Sequence, residues 1–231
     1  MSDRRTAIIT GGSRGLGRAL ARALADRGWR LVIDARTGHE LESAAAELSE
    51  LTDVDAVQGD VSDEWHRQAL VAAAGDRIDL LVNNASVLGP SPQPELSAYP
   101  LRELEQVYRI NVISPLALIQ LALPMMDAGG CIINVTSDAA VEPYSGWGGY
   151  GSAKAALDQL TAILGAEHPE LRVYSVDPGD MRTRMHQEAF PGEDISDRPL
   201  PEESVPGLLT LIDESLPSGR FRTRDLLAAV R

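Results

Sequence analysis

The fold of this chain is decided near its start, by the stretch Thr6-Ala7-Ile8-Ile9-Thr10-Gly11-Gly12-Ser13-Arg14-Gly15-Leu16-Gly17. Its first five residues form a short apolar run that ends in glycines, which predicts a buried strand. Apolar residues then recur at helical spacing, at Leu16, Ala19, Leu20, Ala23 and Leu24. A strand, a glycine turn and a helix in this order allow backbone N–H groups and the helix N-terminus to bind a phosphate group. The stretch therefore predicts a phosphate-binding turn.

Short apolar segments alternate with helical patterns along most of the chain. Strands are predicted over residues 6–10, 29–34, 54–57, 78–82, 130–135 and 171–176. A long helix is predicted over 101–127, and Pro115 and Pro124 should bend or interrupt it. This alternation indicates βαβ units. We predict an α/β fold with one domain over 1–231, a doubly wound parallel β-sheet (Rossmann fold) with helices on both faces, and a flexible substrate loop at about 180–203.

Composition excludes several classes of function. The formal net charge of the 231-residue chain is -13, and such a surface repels the phosphate backbone of nucleic acid. The single cysteine, Cys131, lies in an apolar run, so we expect a core residue, no intrachain disulfide and a reducing cytoplasm. The four histidines show no metal-ligand spacing, and we see neither a signal peptide nor a membrane span. We therefore expect a cytoplasmic protein without a metal site.

The end of the second strand should reach the ribose of a bound dinucleotide, about 20 residues beyond the glycines. Asp34 could accept a hydrogen bond from a ribose 2′-OH, which would favour NAD. Arg36 could bind a 2′-phosphate, and Arg14 adds a second positive charge in the glycine turn. Either arginine could instead pair with Asp34. Two cations against one carboxylate favour NADP (NADPH), with NAD as the alternative.

Tyr150 and Lys154 are four residues apart on a predicted helix, which puts their Cβ atoms about 6 Å apart on one face. An ammonium group beside a phenol favours the phenolate and should lower the pKa of the tyrosine. The pair could then transfer a proton at neutral pH. The same spacing is common on ordinary amphipathic helices, so the residues upstream decide between these interpretations.

Taken together, the motifs resemble the short-chain dehydrogenase/reductase (SDR) family over nearly the whole chain, and carbonyl-reductase-like members in particular. The matching residues are Thr10, Gly11, Gly15 and Gly17, then Asp60-Val61, Asn83-Asn84-Ala85-Ser86, Asn111, Ser137, Tyr150, Lys154, Pro178-Gly179 and Thr183. Ser86 stands where the family pattern has glycine. The separation of Ser137 and Tyr150, 150 − 137 = 13, agrees with the family pattern.

The resemblance implies a set of site residues. The catalytic residues would be Asn111, Ser137, Tyr150 and Lys154. The cofactor-binding residues would be Gly11, Ser13, Arg14, Gly15, Leu16, Gly17, Asp34, Arg36, Asp60, Val61, Asn83, Asn84, Ala85, Tyr150, Lys154, Pro178, Gly179, Met181 and Thr183. Trp147, Met181, Met185 and Phe190 could line the substrate site or simply pack in the core or lid.

The implied reaction moves a hydride between the nicotinamide and a small-molecule carbonyl or alcohol. Tyr150 would donate the proton, Lys154 would lower the pKa of that tyrosine, Ser137 would stabilise the substrate oxygen, and Asn111 would help hold a water. The alternative is an NADP-binding redox sensor without turnover, although such proteins usually lose the tyrosine or the lysine. Related proteins associate through the long helix and the Tyr150 helix, so we expect a homodimer or homotetramer.

Overall fold

The computed structural model describes residues 4–228, so the predicted domain, 1–231, extends beyond the described residues at both ends. The strands are β1 (Thr6–Ile9), β2 (Arg30–Ala35), β3 (Val54–Gln58), β4 (Leu80–Asn83), β5 (Cys131–Val135), β6 (Arg172–Asp177) and β7 (Gly219–Arg222). The helices are α1 (Gly15–Ala25), α2 (Gly38–Ser49), α3 (Glu64–Ala74), α4 (Leu101–Tyr108), α5 (Ser114–Ala122), α6 (Gly148–Glu167), α7 (Arg184–Ala189), α8 (Val205–Asp213) and α9 (Thr223–Ala228).

All seven strands pair in parallel, in the order β3-β2-β1-β4-β5-β6-β7. The strand order reverses direction at β1, which pairs with β2 on one side and β4 on the other. In such sheets the loops that follow the strands leave a crevice at the reversal point, and ligands bind there. The predicted α/β fold with a doubly wound parallel sheet is confirmed.

The two faces of the sheet support separate cores, because successive side chains of a strand point to opposite faces. Ala7 and Ile9 pack on one face with apolar residues of α1, α2 and α8. Ile8 packs on the other face with residues of α3, α5 and α6. Helices therefore cover both faces, as predicted, and they hold the carboxyl ends of the strands at one edge of the molecule.

The predicted long helix is interrupted close to its first proline. The helix α4 ends at Tyr108, a π-helical turn covers Arg109–Ile113, and α5 begins at Ser114. Pro115 has no N–H group for the carbonyl of Asn111, four residues earlier, so a regular α-helix cannot continue through this point. The stretch Leu101–Met125 is long and apolar enough to cross a membrane by length and composition. Half of its most apolar window is buried inside the protein, however, as in the core helix of a globular domain.

The sequence did not predict the seventh strand. The strand β7 pairs with β6 at the edge of the sheet, and each of its four residues is only half-buried. Its sequence has a single apolar residue, Phe221, between two arginines, so it lacks the apolar run that marks the inner strands. Arg220 and Arg222 point their guanidinium groups toward Asp177, at 3.6 and 3.7 Å. Charge pairing with β6 thus contributes to this edge of the sheet.

Candidate active site

The glycine turn joins β1 to α1 with backbone conformations that favour glycine. Gly11 and Gly15 have φ angles of +66° and +54°, in the left-handed region where other residues are strained. Gly17 faces the turn so closely that a Cβ atom there would lie 2.4 Å from the carbonyl oxygen of Gly11. The turn therefore presents bare backbone at the N-terminus of α1, as phosphate binding requires.

Asp34 supports this turn from below, which corrects the prediction that it would accept from a ribose hydroxyl. Its side chain is 2% exposed, and Oδ1 accepts the Gly11 N–H at 2.6 Å. The second carboxylate oxygen lies 2.9 Å from Nε2 of His66, a buried residue of α3. Both oxygens are thus engaged within the protein. Neither predicted arginine pairs with Asp34, so that alternative is also wrong.

The two arginines lie at the rim of the site with other partners. Arg14 is 3.3 Å from Glu40, and Arg36 is 4.0 Å from Asp60. Their side chains keep 48% and 57% of their accessible surface. Asp60 is further held by the N–H of Ser62, at 2.8 Å. Burial raises the pKa of Asp60. The hydrogen bonds that Asp60 accepts from Ser62 and the charge of Arg36 lower this pKa by more than burial raises it, so the net shift is downward.

The two asparagines that follow one another at the end of β4 point in different directions. Asn84 donates its amide to the carbonyl oxygens of Thr10 and Gly11, at 2.8 and 3.2 Å, and so braces the glycine turn. Asn83 does not line the cavity, contrary to the prediction that it binds the cofactor. Its amide donates to Asn134 in the core at 2.8 Å, because strand alternation turns its side chain away from the site.

Tyr150 and Lys154 lie side by side on α6, and both are buried. The Lys154 ammonium lies 5.5 Å from the centre of the Tyr150 ring and donates to the carbonyl of Val135 at 2.8 Å. Burial lowers the pKa of Lys154 to about 8. The predicted lowering of the Tyr150 pKa is not found. Burial, with the negative charge of Asp177, raises the pKa of Tyr150 instead.

Ser137 lies two residues beyond the end of β5 and lines the same cavity as Tyr150. Its hydroxyl donates to the Asp138 carboxylate at 2.9 Å. Hydrogen bonding from Ser86, and to a smaller extent from Ser137, works against the rise in the pKa of Tyr150. The carbonyl of Ser137 accepts from Arg220 of β7 at 3.0 Å. The last strand, which the sequence did not predict, therefore fixes a predicted catalytic residue.

Asn111 is completely buried in the π-helical turn and does not face the cavity. Its Oδ1 accepts from the N–H of Val87 at 2.9 Å and from the hydroxyl of Ser86 at 3.1 Å. Its Nδ2 donates to the carbonyl of Val87 at 2.8 Å. The side chain thus holds the loop after β4 in place. The water that Asn111 was predicted to hold would therefore have to be bound by the backbone of this residue.

The segment after β6 closes the opposite side of the site. Asp177 accepts from the N–H of Gly179 at 2.9 Å, and Thr183 caps α7 by accepting from the N–H of His186 at 3.2 Å. A Cβ atom on Gly15 would lie 3.6 Å from a methyl carbon of Thr183, so the segment reaches the glycine turn. The predicted flexible loop thus includes a short helix, α7.

These elements enclose one continuous cavity of about 1050 Å³. It is lined by the predicted residues Gly11, Ser13, Arg14, Gly15, Leu16, Asp34, Arg36, Asp60, Val61, Asn84, Ala85, Ser137, Tyr150, Lys154, Pro178, Gly179, Met181 and Thr183. Of the predicted catalytic and cofactor-binding residues, Gly17, Asn83 and Asn111 do not line it. Sequence reasoning did not assign Leu88, Asp138 or His186, which also line it; they lie in loops or a short helix without a recognisable motif.

The far end of the cavity is apolar and aromatic. Trp147, Met181 and Met185 line it, as the sequence suggested. Phe190 does not line the cavity but packs behind it, with its ring centre 5.8 Å from that of Trp147 and 4.8 Å from that of His186. Trp147 in turn meets the Tyr150 ring edge-on at 5.9 Å. This end could therefore take the uncharged part of a small molecule beside the phenol.

Comparison with known proteins agrees with this geometry. A family model described as short chain dehydrogenase matches residues 5–194. The rhamnolipids biosynthesis 3-oxoacyl-(acyl-carrier-protein) reductase of Pseudomonas aeruginosa is 32% identical, over 98% of this chain and 87% of its own. The solved E. coli oxidoreductase yciK is 26% identical with a TM-score of 0.88, covering 97% and 96% of the two chains.

A third relative carries a bound nucleotide. The alcohol dehydrogenase of the archaeon Thermococcus sibiricus, solved as a complex with 5-hydroxy-NADP, is 27% identical with a TM-score of 0.83. The similarity covers 95% of this chain and 96% of that one. With the match of the family model to most of the sequence, these similarities show that the chain belongs to the short-chain dehydrogenase/reductase family of NAD(P)-dependent oxidoreductases.

Proposed function

We propose that this protein is an NADP(H)-dependent oxidoreductase that transfers a hydride between the nicotinamide and a carbonyl or secondary alcohol, with Tyr150 as acid and base. One observation carries the proposal: the Tyr150 phenol, the Ser137 hydroxyl and the Lys154 ammonium line the same cavity as the glycine turn. A substrate in the apolar end would lie between these groups and the cofactor side.

The residues of the cavity fit a dinucleotide phosphate. The glycine turn offers unblocked N–H groups for a pyrophosphate, next to the helix N-terminus. Arg14 and Arg36 are each more exposed than the carboxylate beside them, Glu40 and Asp60, so their guanidinium groups can turn toward a 2′-phosphate. Because Gly11 and His66 engage the carboxylate of Asp34, this group is not available to a ribose 2′-OH and does not favour NAD over NADP.

The remaining predicted residues complete the cofactor side. Asp60 and Val61 would contact the adenine end of the cofactor. Asn84 and Ala85 would contact the cofactor from the end of the strand that supports its ribose. Pro178, Gly179, Met181 and Thr183 would hold the nicotinamide end. The 5-hydroxy-NADP complex of the archaeal alcohol dehydrogenase supports the preference for NADP, and NAD is the alternative that the assay below distinguishes.

Bound NADPH would supply the hydride, and the protein would supply and withdraw a proton at the substrate oxygen. Because burial raises the pKa of Tyr150, the phenol stays protonated at neutral pH and can donate to a developing alkoxide. Lys154, with a pKa of about 8, stays largely charged and stabilises the phenolate that remains. The Ser137 hydroxyl can turn from Asp138 to the substrate oxygen and stabilise its charge.

The first test is the loss of NADPH absorbance with purified protein and a panel of aldehydes, ketones and diketones, with NADH in parallel. Tyr150→Phe removes only the hydroxyl and keeps the ring that packs on Trp147, so it isolates the contribution of the hydroxyl. We expect it to lose about 10²-fold or more of the turnover. Near wild-type turnover of that variant would refute the role of Tyr150. NADPH binding without turnover on any carbonyl would favour a redox sensor.

We also propose a homodimer or homotetramer in the cytoplasm. Ile113 and Ile163 expose 57% and 43% of their surface on the long helical segment and on α6, the two elements through which association was expected. The buried thiol of Cys131 has its pKa raised to about 12, as suits a core residue rather than a nucleophile. Analytical ultracentrifugation would measure the state of association. The proposed partner of the site is a small molecule, and not nucleic acid or a membrane.

A further inference from the structure

Arg220 of β7 joins three segments of the candidate active site through one guanidinium group. Its Nε donates to Oδ2 of Asp158 on α6 at 2.9 Å, and its Nη2 donates to the carbonyl of Ser137 at 3.0 Å. Nη2 also lies 3.6 Å from Oδ2 of Asp177, at the end of β6. The side chains of Arg220 and Asp158 are only 26% and 14% exposed. Water and salt therefore screen these contacts less than those of an exposed ion pair.

Each of the three segments carries a residue of the proposed reaction. Asp158 lies four residues after Lys154, so the two side chains share a face of α6. Ser137 is assigned to the substrate oxygen. Asp177 uses its other oxygen to accept the N–H of Gly179 at 2.9 Å, and Gly179 is assigned to the nicotinamide end. One guanidinium group thus ties together the helix that transfers the proton, the serine and the cofactor loop.

A guanidinium group suits this position because it is planar and its N–H groups point in fixed directions. Two of its nitrogens donate to different elements, to α6 through Nε and to the segment after β5 through Nη2. An ammonium group has a single nitrogen and cannot reproduce this geometry. Asp158 relies on the contact, because its second oxygen is buried and has no hydrogen-bond partner within residues 4–228. Loss of the guanidinium group would therefore release α6 and Ser137 from each other.

We propose that Arg220 is a positioning residue for the reaction: it fixes Ser137 relative to Tyr150 and Lys154 on α6. The inference rests on the proposed function, in which these three residues act on the substrate. Arg220 itself does not line the cavity. It acts only through the residues that it holds, and it keeps its own protons throughout the reaction.

Arg220→Lys tests the geometry while it keeps a positive charge beside Asp158 and Asp177. We expect kcat to fall about 10- to 100-fold, because a displacement of about 1 Å in a catalytic group can cost this much. KM for the carbonyl substrate should change little, since the apolar end of the cavity is not altered. Wild-type kcat in this variant would overturn the inference.

Arg222 provides the matched control, because it lies on the same strand with its side chain 34% exposed. It lies 3.7 Å from Asp177, and within the described part of the chain it forms no hydrogen bond with Ser137 or Asp158. We expect Arg222→Lys to keep the wild-type kcat. An equal loss of kcat in the two lysine variants would assign the effect to Asp177 and overturn the role of Arg220.

Chemical rescue separates positioning from a general loss of structure. Arg220→Ala removes the guanidinium group from a site that is partly open to solvent, so added ethylguanidinium can bind in its place. We expect ethylguanidinium to restore part of kcat in this variant, and NaCl at the same ionic strength to restore none. An equal response to both salts, or no response to either, would overturn the inference.

A final measurement does not need turnover. In crystal structures with NADP bound, we expect Ser137 of Arg220→Lys to be displaced by about 1 Å relative to Tyr150, and Arg222→Lys to superimpose on the wild type. An undisplaced Ser137 would overturn the inference, although turnover that Tyr150→Phe abolishes would still support the proposed function. A displaced Ser137 in a protein that reduces no carbonyl would support positioning by Arg220 and refute the proposed function.

Discussion

Asp34 gives the sharpest test of how this site is built, because the sequence and the structure assign it different roles. In the structure its buried carboxylate accepts the Gly11 N–H at 2.6 Å and lies 2.9 Å from His66. Both of its oxygens are thus engaged within the protein, in support of the glycine turn. We therefore predict that Asp34→Ala lowers stability and weakens the binding of NADPH and NADH alike.

The magnitude follows from the two contacts. Leaving the Gly11 N–H without an acceptor costs about 1–3 kcal/mol, and losing a hydrogen bond between His66 and a carboxylate costs about 1.5–3 kcal/mol. Removing a buried charge offsets part of this cost, so we expect a net loss of about 3 kcal/mol in the free energy of unfolding. For a chain of this length, that loss lowers Tm by about 6–12 °C.

The assay combines thermal unfolding with fluorescence titrations of NADPH and NADH. Asp55→Asn is the matched control. Asp55 lies on the neighbouring strand β3, its side chain is 48% exposed, and it pairs with Arg30. Changing this exposed pair should cost at most about 1 kcal/mol. Asp34→Asn keeps one acceptor for Gly11 and should lose less stability than Asp34→Ala.

The two roles of Asp34 predict opposite results. If Asp34→Ala leaves Tm unchanged and weakens only NADH, the carboxylate serves a ribose hydroxyl and the reasoning from the buried contacts is refuted. Equal loss for both cofactors, together with a lower Tm, is the outcome that turn support requires. A double-mutant cycle with His66→Ala should give a coupling free energy of about 0.5–3 kcal/mol, because the two side chains are in contact.

Three further predictions concern the cofactor side and Lys154, the lysine that we propose to be catalytic. Removing both rim cations in Arg14→Ala/Arg36→Ala should raise Kd for NADPH about tenfold or more and leave Kd for NADH unchanged, by fluorescence titration; equal loss for both cofactors would contradict it. Gly17→Ala adds a Cβ atom 2.4 Å from a backbone oxygen of the turn, and should cost about 1–3 kcal/mol in unfolding free energy and weaken both cofactors. Because burial lowers the pKa of Lys154 from 10.5 to about 8, the folded state binds fewer protons than the unfolded state between these values. The stability of the wild type relative to Lys154→Met should therefore rise as pH increases through that window, in urea unfolding at several pH values; a constant or falling difference would contradict it.

Much of this architecture follows from local patterns. The glycine turn is predicted because a buried strand, glycines and an amphipathic helix adjoin in sequence, and each signal involves only a few residues. The pairing of Tyr150 with Lys154 is fixed by helix geometry alone, since residues four apart share a face. Six of the seven strands are predicted from their apolar runs. The last strand, β7, lacks such a run because an edge strand buries little of its surface.

The directions of individual side chains depend on the assembled structure. Asn83 and Asn84 adjoin in sequence, yet the first is bound to Asn134 in the core and the second braces the glycine turn. A shift of one residue at the end of a strand changes the face on which a side chain lies, and a sequence pattern does not fix that register. The same limit explains why Asp34 was expected beside a ribose.

The sequence by itself determined the fold class, the turn that can bind a phosphate and the set of residues that can move a proton. These are properties of short segments, set by backbone conformation and by periodicity. Only the tertiary structure decided the partner of Asp34, because His66 comes from a helix that folds back beneath the turn. It also decided that the Ser86 hydroxyl donates to Asn111, 25 residues further along the chain. Contacts of this kind join residues far apart in the chain, and their geometry is set by how the layers pack.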